Sequence, residues 1–225
     1  YAFYGCEALE GIVIPDKTYL IENDAFENCS ALKSLKCGTG LRTVEYNAFR
    51  NCDALTEVTL QEGVTTIGNN AFFDCDGLET IALPNSVTSI GTSLFSGCEK
   101  LKNVTLGIGI TQIPASMFYQ CPKLESIALP YRVTSIGDSA FANSTSFTSI
   151  TIPRSVTTFG SNIFSYPAKL TIYGVSGTKA ETYAGEIGAT FVPIDKPATS
   201  ATLDKTTLNI NKGSSAKLNL SVQPI

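Results

Sequence analysis

The sequence predicts a β-rich solenoid, a right-handed coil of stacked 23-residue repeats joined by short helical or 3₁₀ turns. A leucine-rich stretch and a Val-x-x-Ile stretch recur in one phase, together with regularly spaced phenylalanines. Such repeats bury their apolar residues against their neighbours, so the period favours stacking. The phenylalanines lie 23 residues apart, at Phe3, Phe26, Phe49, Phe72, Phe95, Phe118, Phe141 and Phe164.

The first element of each repeat is predicted to be a short strand. Leu78, Ile81 and Leu83 show its spacing, Leu-x-x-Ile-x-Leu. Because alternate residues of a strand point to the same side, Ile81 and Leu83 are expected in the core. This spacing resembles the strand signature of leucine-rich repeats.

The rest of each repeat is predicted to hold a second extended stretch and a turn. The Val-x-x-Ile stretch is rich in β-branched residues, which favour strands. Residues 69–75 have the Ala-Phe-x-x-Cys spacing of one helical or 3₁₀ turn. Prolines are expected to end the first strand, and glycines after the second strand are expected at positive φ. These residues are Pro15, Pro84, Pro130, Pro153, Gly68, Gly91, Gly137 and Gly160.

Residues 1–194 resemble the BspA-like type of leucine-rich repeat. Its order of strand, proline, Val-x-x-Ile-Gly and Ala-Phe-x-x-Cys-x-x-Leu is matched by residues 78–101 nearly position for position. The departures are Leu41 for Val, Pro114 for Gly, and two last repeats without Cys. The resemblance implies a secreted or cell-surface bacterial protein that functions in adhesion, binding a host or neighbouring-cell protein or glycan.

Residues 170–194 are expected to cap the array. The signals are a capping-box pair, an apolar helical face and a terminal glycine, followed by a strand over 191–194. A helix and a strand together would cover the open end of the core, as solenoids require. The residues are Thr178 with Glu181, then Ala180, Tyr183, Ala184 and Ile187, then Gly188.

The periodicity stops after residue 194, and residues 195–200 are predicted to be a linker. Residues 201–225 resemble the first strands of a group 2 bacterial immunoglobulin-like domain, which implies a partial β-sandwich. Alternating apolar residues support strands there, at Leu208, Ile210, Leu218, Leu220 and Val222. Because the chain opens in mid-pattern and this module is incomplete, it is expected to be an excerpt of a longer protein.

The chain has seven cysteines, six of them three residues after a repeat phenylalanine. Thiols in that phase would stand parallel in neighbouring repeats, whereas a disulfide needs facing side chains and a metal site needs converging ligands. They are predicted to fill the core as small apolar groups. A disulfide is the first alternative, and no metal site is predicted.

No catalytic residue and no cofactor are predicted. The chain contains no histidine, which removes the commonest general base. The remaining candidates are carboxylates on turns, which are expected to be solvated. They are Asp74 and Asp76 around Cys75, and the group Glu22, Asp24 and Glu27.

The net charge of −4, without a run of Lys or Arg, gives no surface for nucleic acid or anionic membrane. No apolar stretch approaches the roughly 18 residues of a membrane span. The chain is expected to be monomeric and non-enzymatic.

Two surfaces are candidates for ligand binding. The first is the outward face of the leucine-rich strands, formed by Lys36, Glu57, Thr59, Thr80, Asn103, Thr105, Ser126 and Thr151. The second is an exposed aromatic patch of Arg50, Phe73 and Tyr119. Because the strand face lacks the large anchors of interface hot spots, a passive stalk displaying other domains is the alternative, and an enzyme is a remote third.

Overall fold

A computed structural model describes residues 1–194, 198–203 and 220–224. It shows a solenoid of about eight turns. Each of the first seven repeats contributes one strand to each of two parallel sheets, both of which are interrupted along the array, with a turn between the second strand and the next first strand. Neighbouring strands pair at the 23-residue interval that the sequence predicts, as in Leu35 with Val58 and Ile127 with Ile150.

The first sheet contains the leucine-rich strands. Their alternate residues are buried, because each strand has one face on the core and one on solvent. The strands are β1 (Gly11–Ile14), β3 (Ser34–Cys37), β5 (Glu57–Thr59), β7 (Thr80–Ala82), β9 (Asn103–Thr105), β11 (Ser126–Ala128), β13 (Ser149–Thr151) and β15 (Thr171–Gly174).

The second sheet contains the predicted Val-x-x-Ile strands. Each is two residues long, with the second residue turned toward the core, as in Ile21, Val44 and Ile67. The strands are β2 (Leu20–Ile21), β4 (Thr43–Val44), β6 (Thr66–Ile67), β8 (Ser89–Ile90), β10 (Gln112–Ile113), β12 (Ser135–Ile136) and β14 (Thr158–Phe159).

A column of stacked phenylalanine rings runs through the core beneath the turns. Neighbouring rings lie 5.0 to 5.9 Å apart, and the rings from Phe49 to Phe118 are fully buried. Leucines of the first strand and the cysteines fill the space around them. Burying large apolar side chains supplies most of the stabilisation of such an array.

The glycines after the second strands correct one expectation. Gly68, Gly91, Gly137 and Gly160 do not have positive φ. A Cβ on Gly91 would instead lie 2.2 Å from the backbone nitrogen of Asn69. Glycine is needed there because the backbones of two repeats approach closely, and not because of the turn.

The turns between second and first strands are also not regular helix. In residues 1–194 the only 3₁₀ helix is Pro167–Lys169, in the eighth repeat. Elsewhere residues such as Asn70 and Asp74, one on each side of the Ala-Phe pair, have φ of 56° and 51°. These two left-handed residues each change the direction of the chain, whereas a helix would keep the chain running along one axis.

The predicted cap is present. Helix α1 (Lys179–Ile187) buries Ala180 and Ala184, and Gly188 ends it with φ of 74°. Strand β16 (Thr190–Pro193) pairs in parallel with β15. The capping box is wrong in detail, because Glu181 accepts a hydrogen bond from Gly177 N at 2.6 Å and Thr178 makes no side-chain cap.

Beyond the cap, β17 (Ala198–Leu203) pairs antiparallel with β18 (Leu220–Pro224). Strand β17 starts within the residues predicted as linker. This single strand pair does not show the predicted partial β-sandwich or an immunoglobulin-like domain. Leu208, Ile210 and Leu218 lie outside the described residues.

Candidate ligand-binding surfaces

The turn side of the array is held by its own backbone ladder. Phe72 N donates to Leu94 O at 3.1 Å, and Asp74 N donates to Ser96 O at 2.9 Å. Equivalent bonds recur from the first repeat, where Phe3 N donates to Ala25 O, to the seventh, where Phe141 N donates to Ile163 O. The turns therefore stack in register along the array.

A groove of about 920 Å³ runs along this side. One wall is formed by the residues with positive φ that follow the phenylalanine in each turn, such as Asn51 and Asp74. The other wall is formed by the residues two positions later, such as Asp53 and Asp76. Its lining extends from the first repeat to the seventh: Tyr4, Gly5, Glu7, Asn28, Ser30, Asn51, Asp53, Asp74, Asp76, Gly97, Glu99, Gln120, Pro122 and Asn143.

The groove is acidic. Five of its lining residues carry a carboxylate, and no Lys or Arg is among the described residues that line it. Burial raises the pKa of Asp74, against the opposing effect of Arg50, and the charges of Asp53 and Glu99 raise it further. Burial followed by the charges of Glu99, Asp53 and Asp74 raises the pKa of Asp76. Asp74 and Asp76 are half-buried, so the expectation of fully solvated carboxylates is wrong for both.

The aromatic patch is only partly assembled. The guanidinium carbon of Arg50 lies 5.2 Å from the centre of the Phe73 ring, and Arg50 Nη1 lies 3.3 Å from Glu27 Oε1. Tyr119 is two repeats away from Phe73, with the buried Ser96 between them. Its hydroxyl accepts a hydrogen bond from Asn143 Nδ2 at 2.9 Å, which places it beside the groove.

Two further carboxylates that were expected to be solvated are buried. Asp24 and Glu27 are each 8% exposed, and Asn47 Nδ2 donates to Asp24 Oδ1 at 3.0 Å. Burial, and then the hydrogen bond to Asp24, raise the pKa of Glu27, while Arg50 lowers it. The sequence placed Asp24 and Glu27 close together but did not indicate their partners Asn47 and Arg50, which lie in the next repeat. Glu22 is exposed, as expected.

The predicted strand face is in register within three paired parts, on β3 with β5, β7 with β9, and β11 with β13. Lys36 lies beside Thr59, and Thr80 lies beside Asn103. All eight residues are exposed except Thr151, which is half-buried. None of the eight lines the groove. The face stays a candidate because nearly all of these side chains are exposed.

The cysteines do more than fill space. All seven are free, and six are buried while Cys6 is half-buried. Cys75 Sγ donates to Phe49 O, 26 residues earlier, at 3.2 Å, and Cys98 and Cys121 repeat this bond. Ser144 takes the same role at 2.7 Å. Burial raises the pKa of Cys37 and of Cys121 to about 12, so both are neutral thiols at physiological pH.

The parallel strands, the 23-residue register and the phenylalanine column define the class: a leucine-rich-repeat solenoid. The model of the BspA type leucine rich repeat region, which has six copies, matches residues 1–121 and 42–171. The chain belongs to this family.

Several solved structures resemble the chain. A leucine-rich-repeat protein from Bacteroides ovatus is 27% identical with a TM-score of 0.65. The match covers 86% of this chain and 54% of the B. ovatus chain. A leucine rich cell surface protein from Faecalibacterium prausnitzii is 26% identical with a TM-score of 0.54. The match covers 81% of this chain and 64% of the F. prausnitzii chain. A leucine-rich-repeat protein from T. pallidum is 24% identical with a TM-score of 0.54, and the match covers 85% of this chain and 76% of the T. pallidum chain. At this identity the likeness shows the fold alone.

The chain therefore spans about half to two thirds of the length of the first two of these proteins. No curated protein matches the sequence. Within the described residues, no helix is long and apolar enough to cross a membrane. The same residues contain no group of three or more acidic, cysteine or histidine side chains arranged to hold a metal ion.

Proposed function

We propose that this chain is a non-enzymatic binding module of a bacterial cell-surface protein, which takes an extended cationic polypeptide into the acidic groove. The observation that carries the proposal is the groove itself, continuous over seven repeats and lined by five carboxylates. The surface location is supported by the family and by the resemblance to the cell surface protein of F. prausnitzii.

The dimensions of the groove suit an extended chain. Tyr4 and Asn143 lie six repeat steps apart. At about 4.8 Å per step the groove is about 29 Å long, which about nine residues of extended peptide span. A ligand of this shape would contact many repeats weakly and gain affinity from their number.

The charges favour a cationic ligand over a neutral one. Burial is the main cause that raises the pKa of Asp74 and of Asp76, and repulsion by the charges of Asp53 and Glu99 raises both pKa values further. A lysine or arginine side chain placed among these carboxylates would remove this repulsion, and partial burial reduces screening by salt. A neutral glycan would leave the repulsion in place.

The test is binding of a fluorescent nonalysine peptide, measured by anisotropy at two salt concentrations. The double variant Asp74→Asn with Asp76→Asn should weaken binding about tenfold, or about 1.4 kcal/mol. Glu57→Gln on the strand face is the matched control and should bind as wild type does. Equal binding by wild type and the groove variant would contradict the proposal.

The strand face is the other candidate surface. If Glu57→Gln weakened binding of a protein or glycan ligand while the groove variant did not, the ligand would lie on the strand face. If the wild-type chain bound no cationic peptide and no protein or glycan ligand, the stalk hypothesis would replace both. The stacked rings and the unbroken turn ladder favour the stalk hypothesis, because they hold neighbouring repeats in register along the whole array.

A further inference from the structure

The second sheet is divided into two parts. Strands β2, β4, β6 and β8 form one part, and β10, β12 and β14 form the other. Within residues 1–194, no backbone hydrogen bond joins β8 to β10. At the same place in the other repeats Thr88 N donates to Thr65 O at 3.0 Å, and Thr134 N donates to Thr111 O at 2.8 Å.

The sequence supplies a cause at Pro114. In other repeats the residue in this position donates its backbone N–H to the preceding repeat: Gly91 to Ile67 O at 2.8 Å, and Gly137 to Ile113 O at 2.8 Å. Proline has no N–H to donate. Glu45 donates in the same way to Ile21 O at 2.9 Å, so a side chain is tolerated in this position and the missing donor distinguishes Pro114.

The unpaired strands leave a cavity of about 210 Å³, which we call the seam. It is lined by Thr88, Ser89, Ile90, Ile110, Thr111 and Gln112. The two other sides of the same junction are closed. Strands β7 and β9 are paired, and on the turn side Phe95 N donates to Met117 O at 2.9 Å.

We propose that Pro114 makes the seam a hinge, at which the array bends by opening and closing its second sheet. The paired strands β7 and β9 and the turn ladder form the pivot, because both keep their hydrogen bonds across the junction. The groove crosses this junction between Glu99 and Pro122. Bending therefore changes the curvature of the groove, whichever ligand it takes.

The hinge is tested by amide hydrogen exchange on the whole chain, resolved by residue. The amides of Thr111 and Gln112 should exchange at least about tenfold faster than those of Thr157 and Thr158, because hydrogen-bonded amides exchange only on local opening. Thr157 and Thr158 are matched controls, since they occupy the same positions two repeats later and both donate to Thr134 O.

Two variants assign the cause. Pro114→Gly and Pro114→Ala both restore the N–H, and both should slow the exchange of Thr111 and Gln112 toward that of the controls. Equal exchange of the two pairs in the wild type would show that the seam is closed in solution and overturn the proposal. Fast exchange that persists in both variants would equally overturn it, because Pro114 would not be the cause.

Discussion

The turn side and the two sheets of this array are built from the same repeats but differ in continuity. The turn ladder is hydrogen-bonded from the first repeat to the seventh. The first sheet is interrupted between β5 and β7 and between β9 and β11, and the second is interrupted between β8 and β10. These interruptions fall at successive junctions on alternating sheets, so each junction keeps at least one paired sheet.

The difference shows which part of the repeat fixes the stacking. On the turn side each repeat keeps a left-handed residue of the types that tolerate it, mostly Asn, Asp, Ser and Gly, and keeps its backbone donors. The strands are only two to four residues long. In the second sheet the interruption falls at the repeat in which the residue after the strand, Pro114, has no donor.

The largest expected effect comes from breaking the phenylalanine column. Phe95→Ala leaves a cavity in a fully buried stack, and should lower the free energy of unfolding by about 3 to 5 kcal/mol. The measurement is chemical denaturation followed by circular dichroism. Phe3→Ala is the control, since Phe3 is 42% exposed and should cost far less. Equal costs at the two positions would mean that the column does not dominate the stability.

A smaller effect is expected from the thiol that joins neighbouring turns. Cys75→Ser keeps a donor for Phe49 O, as Ser144 does for Phe118 O. Cys75→Ala removes the donor, so Ser should retain about 1 kcal/mol more of the free energy of unfolding than Ala. Denaturation of the two variants compares them directly. A serine variant less stable than the alanine variant would show that the thiol acts as apolar filler alone.

The smallest effect is expected in the pH dependence of the turn side. Because the folded pKa of Glu27 is raised above its ordinary 4.5, the folded state holds the proton more tightly. Its contribution is present at low pH and is lost as the pH rises through the folded pKa. Glu27→Gln should therefore flatten the decline in the free energy of unfolding, measured by denaturation between about pH 4 and pH 8.

Glu10→Gln is the control for that measurement. A hydrogen bond and the charge of Lys33 lower the pKa of Glu10, so its contribution appears as the pH rises. Its replacement should change the slope in the opposite direction, and only at the acid end of the range, because the contribution of Glu10 is complete above its ordinary pKa of 4.5. A Glu27→Gln profile that declines as the wild type does would show that the titration of Glu27 does not cause the decline in the free energy of unfolding.

The repeat register was predictable from sequence because the core phases confirm one another eight times over. The strands and the buried cysteines followed from it, and the helix and strand after the repeats were predicted separately, from a helical apolar pattern and a terminal glycine. The role of Gly91 did not, because a close backbone approach and a positive φ both select glycine. The buried pair Asp24 and Glu27 was missed because charged residues on turns are usually solvated, and no sequence pattern shows what covers them.

The candidate groove was harder to predict than the fold. Its carboxylates Asp53, Asp74, Asp76 and Glu99 come from three consecutive turns, and only the three-dimensional stacking makes them neighbours. A signal was present, since Asn and Asp recur at the positive-φ positions that form one wall of the groove. Pro114 was visible as a departure from Gly, and its effect follows from the missing donor once the pairing is known.

The bonds between neighbouring repeats have a consequence for a change in the number of repeats. The thiol bond spans 26 residues, and the turn bonds from Phe72 to Leu94 and from Asp74 to Ser96 span 22. If residues 70–92 were deleted, each remaining group would meet an equivalent partner from another copy. Unequal recombination between the repeated stretches of the gene would thus shorten or lengthen the groove by one repeat at a time, and preserve the reading frame and the packing.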